Sequence, residues 1–213
     1  YDATSLAPPV VLPDVATARQ VAFIVRRDDG RLPPAAVRLY VLDDAGTVRQ
    51  YKLPYRSTQA LVAADVTFER QLTGTYTQIS AGADFIQLLS TGGGAYSEGA
   101  SESDALGDPT GVAHWNDTFQ VQYGVGCYSG CVYAPLTGVS QVHAGVNRSF
   151  VVLSDGLYNW GVTGGLTLEW GNSTRTMGAP LDIAAISSWA WLLGDGRVHF
   201  LDLAFAEDDG SIS

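Results

Sequence analysis

The chain has 213 residues, 46% of them hydrophobic and only 16% charged, so it can bury a core and is not a disordered polypeptide. Twelve basic and 22 acidic residues give a formal net charge of −10, which argues against nucleic acid and against an anionic membrane surface as partners. The most apolar run, residues 183–193, is broken by two serines and is shorter than the roughly 18 residues that span a bilayer, so we expect no membrane span.

The first 14 residues are predicted to form an extended arm, because prolines fix the backbone and remove amide donors that a helix needs. The arm residues that we expect to make contacts are Pro8, Pro9, Val10, Val11, Leu12 and Pro13. Such an arm can close the chain's own sheet or add a strand to the exposed edge of a neighbouring molecule. Residues 15–213 are predicted to form a single domain. Because the chain begins at Tyr1 with neither an initiator methionine nor a signal peptide, we expect it to be processed or trimmed.

After the arm, short apolar runs alternate with turns that contain glycine. Each run is about five residues long and rich in β-branched or aromatic side chains, at 21–25, 37–42, 85–89, 150–153 and 189–193. Each run precedes a hairpin signal such as the Asp-Gly pairs at 155–156 and 195–196. No stretch of comparable length combines helical periodicity with helix caps. The sequence therefore predicts an all-β protein.

Three of these runs belong to units that resemble one another. The clearest unit, Val142–Gly161, has an Ala-Gly pair, an apolar strand, an Asp-Gly turn, an aromatic residue and a final Trp-Gly. The unit Ile79–Gly99 has a similar order, the unit 186–200 has lost the Ala-Gly pair, and residues 18–30 form a fainter copy. A unit of this kind cannot bury both of its faces alone, so we expect the copies to stack.

This order of residues resembles the repeat of the regulator of chromosome condensation family. Val142–Gly161 matches the family pattern closely. Ile79–Gly99, followed by Ala105-Leu106-Gly107-Asp108, matches it with Gly92-Gly93-Gly94 in place of Asp-Gly and Ser97-Glu98-Gly99 in place of Trp-Gly. The resemblance covers about half of the chain and implies β-propeller blades, each a small antiparallel sheet. The family's nucleotide-exchange role is not carried over, because no residues that contact its partner can be matched.

The chain is short for this architecture. A seven-bladed ring at this repeat length would need about twice as many residues, so we expect four or five blades or an open stack of blades. A β-sandwich in which Asp-Gly hairpins arose independently is the alternative fold.

Asparagine usage points to glycosylation. Three of the four asparagines open N-x-S/T triplets, namely Asn116, Asn147 and Asn172. This predicts N-linked glycans at these positions, although asparagine, serine and threonine also occur together in ordinary turns.

The two cysteines are close in sequence. Cys127 and Cys131 are separated by a segment that contains Gly130, which lets the backbone curl enough for a short-loop disulfide. The alternatives are two free thiols or half of a zinc site, which would lack its second ligand pair. Together with the glycosylation triplets, a disulfide predicts an extracellular or cell-surface protein.

Catalytic motifs are missing from the sequence. The three histidines, His114, His143 and His199, are far apart, and no nucleophile elbow, phosphate-binding glycine loop or zinc-protease motif occurs. We therefore expect a protein that is not an enzyme, with no cofactor and no bound metal. A pair of carboxylates acting on a glycan is the remaining enzymatic hypothesis, because its spacing is purely spatial.

Charge is unevenly distributed along the chain. Residues 1–70 carry nine bases and eight acids, a net charge of +1, whereas residues 71–213 carry three bases and 14 acids, a net charge of −11. Unlike ends favour head-to-tail association of identical molecules. The leading functional hypothesis is a structural or adhesive subunit of an extracellular assembly, such as a fibril, whose partner is itself. The alternative is a monomeric propeller that binds a protein or a glycan.

Overall fold

The computed structural model describes residues 12, 14, 15, 17–26, 36–54, 62–100, 105–108, 110, 112–125, 132–161, 174–178, 183–186, 190–193 and 198–200. None of the helices that they form is both long and apolar enough to cross a bilayer.

The described strands form four antiparallel sheets and one hairpin, in chain order. The first sheet contains β1 (Ala18–Arg26), β2 (Ala36–Asp43), β3 (Val48–Leu53) and β4 (Thr67–Gln71). The second contains β5 (Tyr76–Ala81), β6 (Phe85–Ser90), β7 (Ala95–Gly99) and β8 (His114–Gln120). The hairpin is β9 (Gln122–Val125) and β10 (Val132–Pro135). The third sheet contains β11 (Gln141–Ala144), β12 (Arg148–Leu153), β13 (Gly156–Gly161) and β14 (Thr174–Gly178). The fourth contains β15 (Ile183–Ile186), β16 (Ala190–Leu193) and β17 (Val198–Phe200), and a three-residue 3-10 helix, Ala63–Asp65, precedes β4.

Within each sheet, every strand pairs with the strand that follows it in sequence. Local turns are sufficient to build such a meander. Between β2 and β3, for example, the Asp43 carboxylate accepts hydrogen bonds from the backbone amides of Ala45 and Thr47, at 3.0 and 2.8 Å. Gly46 completes this turn with a φ of +81°, which a residue without a side chain adopts readily. The predicted all-β class with antiparallel sheets is confirmed.

The sheets stack through their first strands. β1 contacts β5, β5 contacts β11, and β11 contacts β15. In a propeller the first strand of each blade lies next to the axis, and this series of contacts has that arrangement. The separate sheets, each in contact with the next, differ from the two facing sheets of the alternative β-sandwich.

Two apolar cores lie between successive sheets. Residues buried between the first and second sheets include Ile24, Tyr40, Leu42, Ile79, Ile86 and Leu88. Residues buried between the second and third sheets include Leu89, Val121, Leu136, Val142 and Val151. Each fully buried side chain of this size contributes about 1.5–3 kcal/mol to folding, so the sheets stabilise one another and no blade is an independent unit.

Glutamine side chains link the first strands of neighbouring sheets. The Gln20 carboxamide oxygen accepts a hydrogen bond from the Ile79 amide at 2.8 Å. In the same way, the Gln78 oxygen accepts one from the Val142 amide at 3.0 Å. Each blade thus supplies the acceptor for an amide on the edge strand of the next blade, which would otherwise be unpaired.

The register of the sheets corrects one alignment of the repeats. Ile79 lies opposite Leu88 in the second sheet, Val142 lies opposite Val151 in the third, and Val21 lies opposite Val41 in the first. The run 21–25 is therefore the first strand of its blade and not the second strand, as the faint copy at 18–30 implied. The second strand of that blade is β2, which begins only after residues 27–35.

Candidate functional site

One face of the first sheet is apolar and incompletely covered. An apolar row crosses all four strands, because Phe23 lies opposite Leu39, Leu39 opposite Tyr51, and Tyr51 opposite Phe68. The Tyr51 and Phe68 rings also meet edge to face, with their centroids 5.7 Å apart. Residues that lie opposite one another in adjacent strands point to the same side of a sheet. We call this surface the open face, and it consists of Val21, Phe23, Val37, Leu39, Val41, Tyr51, Leu53 and Phe68.

Several side chains of the open face are exposed to solvent. Val21 is 57% exposed, Phe23 54% and Phe68 45%. Among the described residues, Leu12, Val15 and Val66 pack against the buried part of this face. The cover is therefore partial, and exposed apolar side chains remain on the two outer strands, β1 and β4.

The equivalent surfaces of the next two sheets are buried. Ile79 in β5 is 6% exposed because it packs against the first sheet, and Val142 in β11 is fully buried against the second sheet. Val21 occupies the same position in β1. The open face is thus the side of a blade against which a preceding blade would pack.

The opposite side of the first sheet carries a buried ionic network with the second sheet. Glu98 in β7 is fully buried, and its carboxylate accepts hydrogen bonds from the Tyr40 hydroxyl at 2.9 Å and from Arg70 at 2.5 Å. Arg38, only 3% exposed, lies 3.5 Å from the same carboxylate and 3.2 Å from that of Glu69. Burial raises the pKa of Glu98, while the charges and hydrogen bonds of its partners oppose that shift. Two arginines and two glutamates balance in charge, so this network ties two blades together.

The network explains why the second repeat departs from the family pattern. Gly99 lies opposite Phe85 as Gly161 lies opposite Arg148, so Glu98 occupies the position that Trp160 has in the third sheet. Trp160 donates its indole N–H to the Ala105 carbonyl at 3.0 Å. Glu98 instead meets the arginines of the first sheet. In both sheets, the residue at this position makes its polar contact with the blade that precedes it.

The segment Ala105–Asp108 fits between the second and third sheets. Its Ala105 carbonyl accepts hydrogen bonds from Gln87 at 3.2 Å, from Ser149 at 2.5 Å and from Trp160. Gly107 has a φ of +76°, which favours glycine here. The Leu-Gly pair of the sequence repeat thus has a structural role.

His114 lies between two carboxylates. Its Nε2 is 2.7 Å from Asp108 and its Nδ1 is 3.0 Å from Asp117. Burial lowers the pKa of His114, but the two hydrogen-bonded carboxylates outweigh it and the net shift is upward. For Asp108, burial raises the pKa, but hydrogen bonds from Thr110 and His114 outweigh it and the net shift is downward. This arrangement links β8 to the preceding loop when the imidazole is charged.

The structure separates the candidate residues that the sequence predicted. Asn116 is exposed in β8 and Asn147 is exposed in the turn before β12, whereas Asn172, Cys127 and Cys131 lie outside the described residues. Glycosylation and the disulfide therefore remain predictions. His114 and His143 belong to different sheets, and the described residues contain no group of three potential metal ligands.

The predicted arm lies mostly outside the described residues. Only Leu12 is described among the arm residues that were expected to make contacts, and it packs, partly buried, against the open face. Pro8, Pro9, Val10, Val11 and Pro13 lie outside the described part. The boundary of the arm and its role in association therefore remain predictions.

Sequence reasoning missed the open face and the glutamine links. A usable signal was present, because a glutamine followed by a β-branched residue recurs at Gln20-Val21, Gln78-Ile79 and Gln141-Val142. The repeat units Ile79–Gly99 and Val142–Gly161 begin one residue after Gln78 and Gln141, and so leave these glutamines out. The exposure of Val21 had no sequence signal, since its neighbours are typical of any buried strand.

Comparison with known proteins identifies the fold. No protein-family model and no curated protein matches the chain. Among solved structures, human WBSCR16, an RCC1-like protein, aligns with a TM-score of 0.56 and 17% identity over 88% of this chain and 48% of that one. Prp20p from Saccharomyces cerevisiae aligns with a TM-score of 0.48 and 15% identity over 76% of this chain and 40% of that one. A second structure of the yeast protein, there named RCC1 and bound to Kap60, aligns with a TM-score of 0.47 and 16% identity over 76% of this chain and 39% of that one.

The chain spans about half the length of the human protein that it resembles. At this identity the likeness concerns the fold and not the activity. The four successive antiparallel sheets, stacked through their first strands, agree with it. The chain therefore consists of β-propeller repeats like those of the regulator of chromosome condensation family, as its sequence predicted.

Proposed function

We propose that this chain is a non-enzymatic β-propeller glycoprotein that serves as a subunit of an extracellular assembly, with head-to-tail contacts at the open face of its first sheet. The observation that carries this proposal is the 57% exposure of Val21 at a position whose equivalents in the next two sheets are buried by a neighbouring sheet. Val21 and Phe23 lie next to each other on the same face of β1, and an exposed apolar patch on a folded protein commonly marks an interaction site.

A second copy of the chain is the partner that suits this surface. Inside the molecule, the first and second sheets each offer the next sheet an apolar face and a glutamine oxygen for an edge amide. A second copy that packs against β1 would take the place that a preceding sheet has inside the molecule. The net charges of +1 for residues 1–70 and −11 for residues 71–213 also favour contact between opposite ends over contact between like ends. Contacts of this heterologous type build a ring if they close and a filament if they do not.

The extracellular and glycoprotein parts rest on the three glycosylation triplets and the paired cysteines of the sequence. Asn116 and Asn147 are exposed. Asn116 lies in β8 of the second sheet, and Asn147 lies in the turn between β11 and β12 of the third sheet. Glycans at either residue would leave the open face accessible. The non-enzymatic part rests on the lack of nucleophile, phosphate-binding and metal-binding motifs in the sequence.

A monomeric propeller that binds a protein or a glycan is the second candidate. The observation in its favour is that Leu12 and Val15 already pack against the open face. A longer contact by the N-terminal segment would cover this face within one molecule. The two candidates therefore differ in what covers Val21 and Phe23.

Sedimentation velocity of the glycosylated chain over a wide concentration range tests the proposal. We expect association that grows with concentration in the unaltered chain. Val21→Asp places a charge on the open face, and we expect it to abolish association. Val146→Asp is the matched control, because Val146 is 56% exposed in the turn before β12 and does not belong to the open face. A monomeric unaltered chain, or equal association of the two variants, would show that the open face is not the contact.

A further inference from the structure

A polar cleft of about 300 Å³ lies where the first strands of three sheets begin. Its lining includes Arg19, Gln20, Gln78, Ser140, Gln141 and His143. The three strands β1, β5 and β11 lie side by side, so the cleft is beside the axis of the stack. Its volume is near the lower limit of the roughly 300–1,000 Å³ typical of small-molecule sites, which suits a compact ligand.

The links between the blades fix the orientation of two carboxamides in this cleft. A backbone amide can only donate a hydrogen bond, so the side-chain atom that meets it must be the oxygen. The Ile79 amide binds the Gln20 oxygen at 2.8 Å, and the Val142 amide binds the Gln78 oxygen at 3.0 Å. The NH2 groups of both glutamines are therefore directed away from these bonds. Within the described part of the chain, neither NH2 group makes a hydrogen bond.

Gln141, the third glutamine that lines the cleft, also uses its carboxamide oxygen in a hydrogen bond. The Gln141 oxygen is 3.2 Å from Nε2 of His143. Burial lowers the pKa of His143 to about 4, so this imidazole is neutral at physiological pH and its Nε2–H can donate to that oxygen. The Gln141 NH2 group then remains as a donor. Three carboxamide nitrogens from three successive blades thus line one cleft.

Arg19 supplies the positive charge of the cleft. Its side chain lies on the exposed part of β1, and the described residues provide it with no ion-pair or hydrogen-bond partner. A planar guanidinium binds carboxylates and sulfates through two parallel hydrogen bonds. One cation in a chain of net charge −10 favours a singly charged group over a multiply charged one.

The hydroxyl groups of Ser140 and Thr77 offer acceptors to the cleft instead of donors. Ser140 donates to the Val152 carbonyl at 3.0 Å, and Thr77 donates to the Leu89 carbonyl at 3.4 Å. Because their hydrogens are used in this way, their oxygens can accept hydrogen bonds from a ligand. The cleft thus combines donors for an anion with acceptors for hydroxyl groups.

We propose that this cleft binds a singly charged oxyanion group, a carboxylate or a sulfate ester, carried by a small hydroxylated molecule such as an acidic sugar. The guanidinium and the carboxamide NH2 groups hold the anion, while Ser140 and Thr77 accept from ligand hydroxyls. This site does not depend on self-association, so it can be tested whether or not the open face binds a second copy.

Isothermal titration calorimetry of the full chain at low ionic strength tests this site. The probes are D-glucuronate, D-glucose 6-sulfate and neutral D-glucose, so that the first two distinguish the carboxylate from the sulfate. We expect one or both anions to bind and D-glucose to bind at least about tenfold more weakly, since the charge-assisted hydrogen bonds are lost.

Two variants and a matched control locate the binding. Arg19→Gln removes the cation, and Gln78→Glu keeps an oxygen for the Val142 amide but replaces the NH2 donor with a second carboxylate oxygen. We expect each to weaken anion binding at least about tenfold, with the melting temperature checked to confirm folding. Lys52→Gln removes one positive charge from an exposed residue of β3 outside the cleft, and we expect no change in affinity. Absence of binding by both anions, equal binding of D-glucose, or equal losses in Arg19→Gln and Lys52→Gln would overturn the assignment.

Discussion

Deleting the same two methyl groups at two equivalent positions should have two different consequences. Val142 is fully buried between the second and third sheets, whereas Val21 is 57% exposed at the same position of the first sheet. Replacing Val142 by alanine removes buried groups worth about 1.6 kcal/mol at about 0.8 kcal/mol for each, and the resulting cavity adds to that. We therefore expect Val142→Ala to lower the free energy of unfolding by about 2 kcal/mol.

Val21→Ala should cost much less in the monomer. Because more than half of the side chain is already exposed, we expect a loss below about 0.8 kcal/mol in the free energy of unfolding. A second copy that covers Val21 would bury the remainder, so the same variant should weaken association by several-fold, at about 1.4 kcal/mol for each factor of ten. Val142→Ala should leave association unchanged, because its side chain is already buried inside one molecule.

Calorimetric melting at a concentration where the chain is monomeric measures the first effect. For a chain of this length, about 1 kcal/mol corresponds to a shift of roughly 2–4 °C, so Val142→Ala should lower the melting temperature by about 4–8 °C. Val21→Ala should lower it by less than about 3 °C. Equal losses in the two variants would refute the reasoning, because they would mean that the open face is already covered within the chain. Sedimentation velocity measures the effect on association.

Three further predictions follow from particular residues. Gly99→Ala should lower the free energy of unfolding in urea by about 1–3 kcal/mol, because Gly99 has a φ of +133° and an added Cβ would lie 2.5 Å from Phe85 Cα. Gly138→Ala is the control and should cost less, because Gly138 has a φ of +74° but an added Cβ there would lie in open space. Because the pKa of His114 is raised, its contribution to stability is full below about pH 6.5 and is lost as the pH rises through the folded-state pKa. The loss of unfolding free energy in His114→Gln should therefore shrink between about pH 5.5 and 9. Growth of that loss with pH would contradict the assignment. Deletion of residues 1–13 should leave the fold intact and strengthen association, because Leu12 no longer competes for the open face; loss of association would instead mean that the arm itself makes the contact.

Sequence by itself determined the fold class and the repeat. Short β-branched and aromatic runs separated by Asp-Gly and glycine-rich turns specify hairpins through local backbone chemistry, and nearly all of this information lies within a few residues. The Ala-Gly, Trp-Gly and Leu-Gly elements resembled the regulator of chromosome condensation repeat for a physical reason. Gly161, for example, has a φ of +112°, and an added Cβ there would lie 2.5 Å from the Asn147 carbonyl oxygen.

Contacts between blades were decided only by tertiary structure. Glu98 looked like an imperfect match to a Trp-Gly motif, and only the packing of β7 against β2 and β4 places it between Arg38 and Arg70. The exposure of Val21 has the same origin, since its neighbours in sequence are those of a buried strand. Burial depends on which sheet lies next to a strand, and pairs such as Gln20 and Ile79 are far apart in sequence, so no local pattern encodes them. For this reason the repeat could be found from the sequence, while the open face and the polar cleft required the stacked sheets.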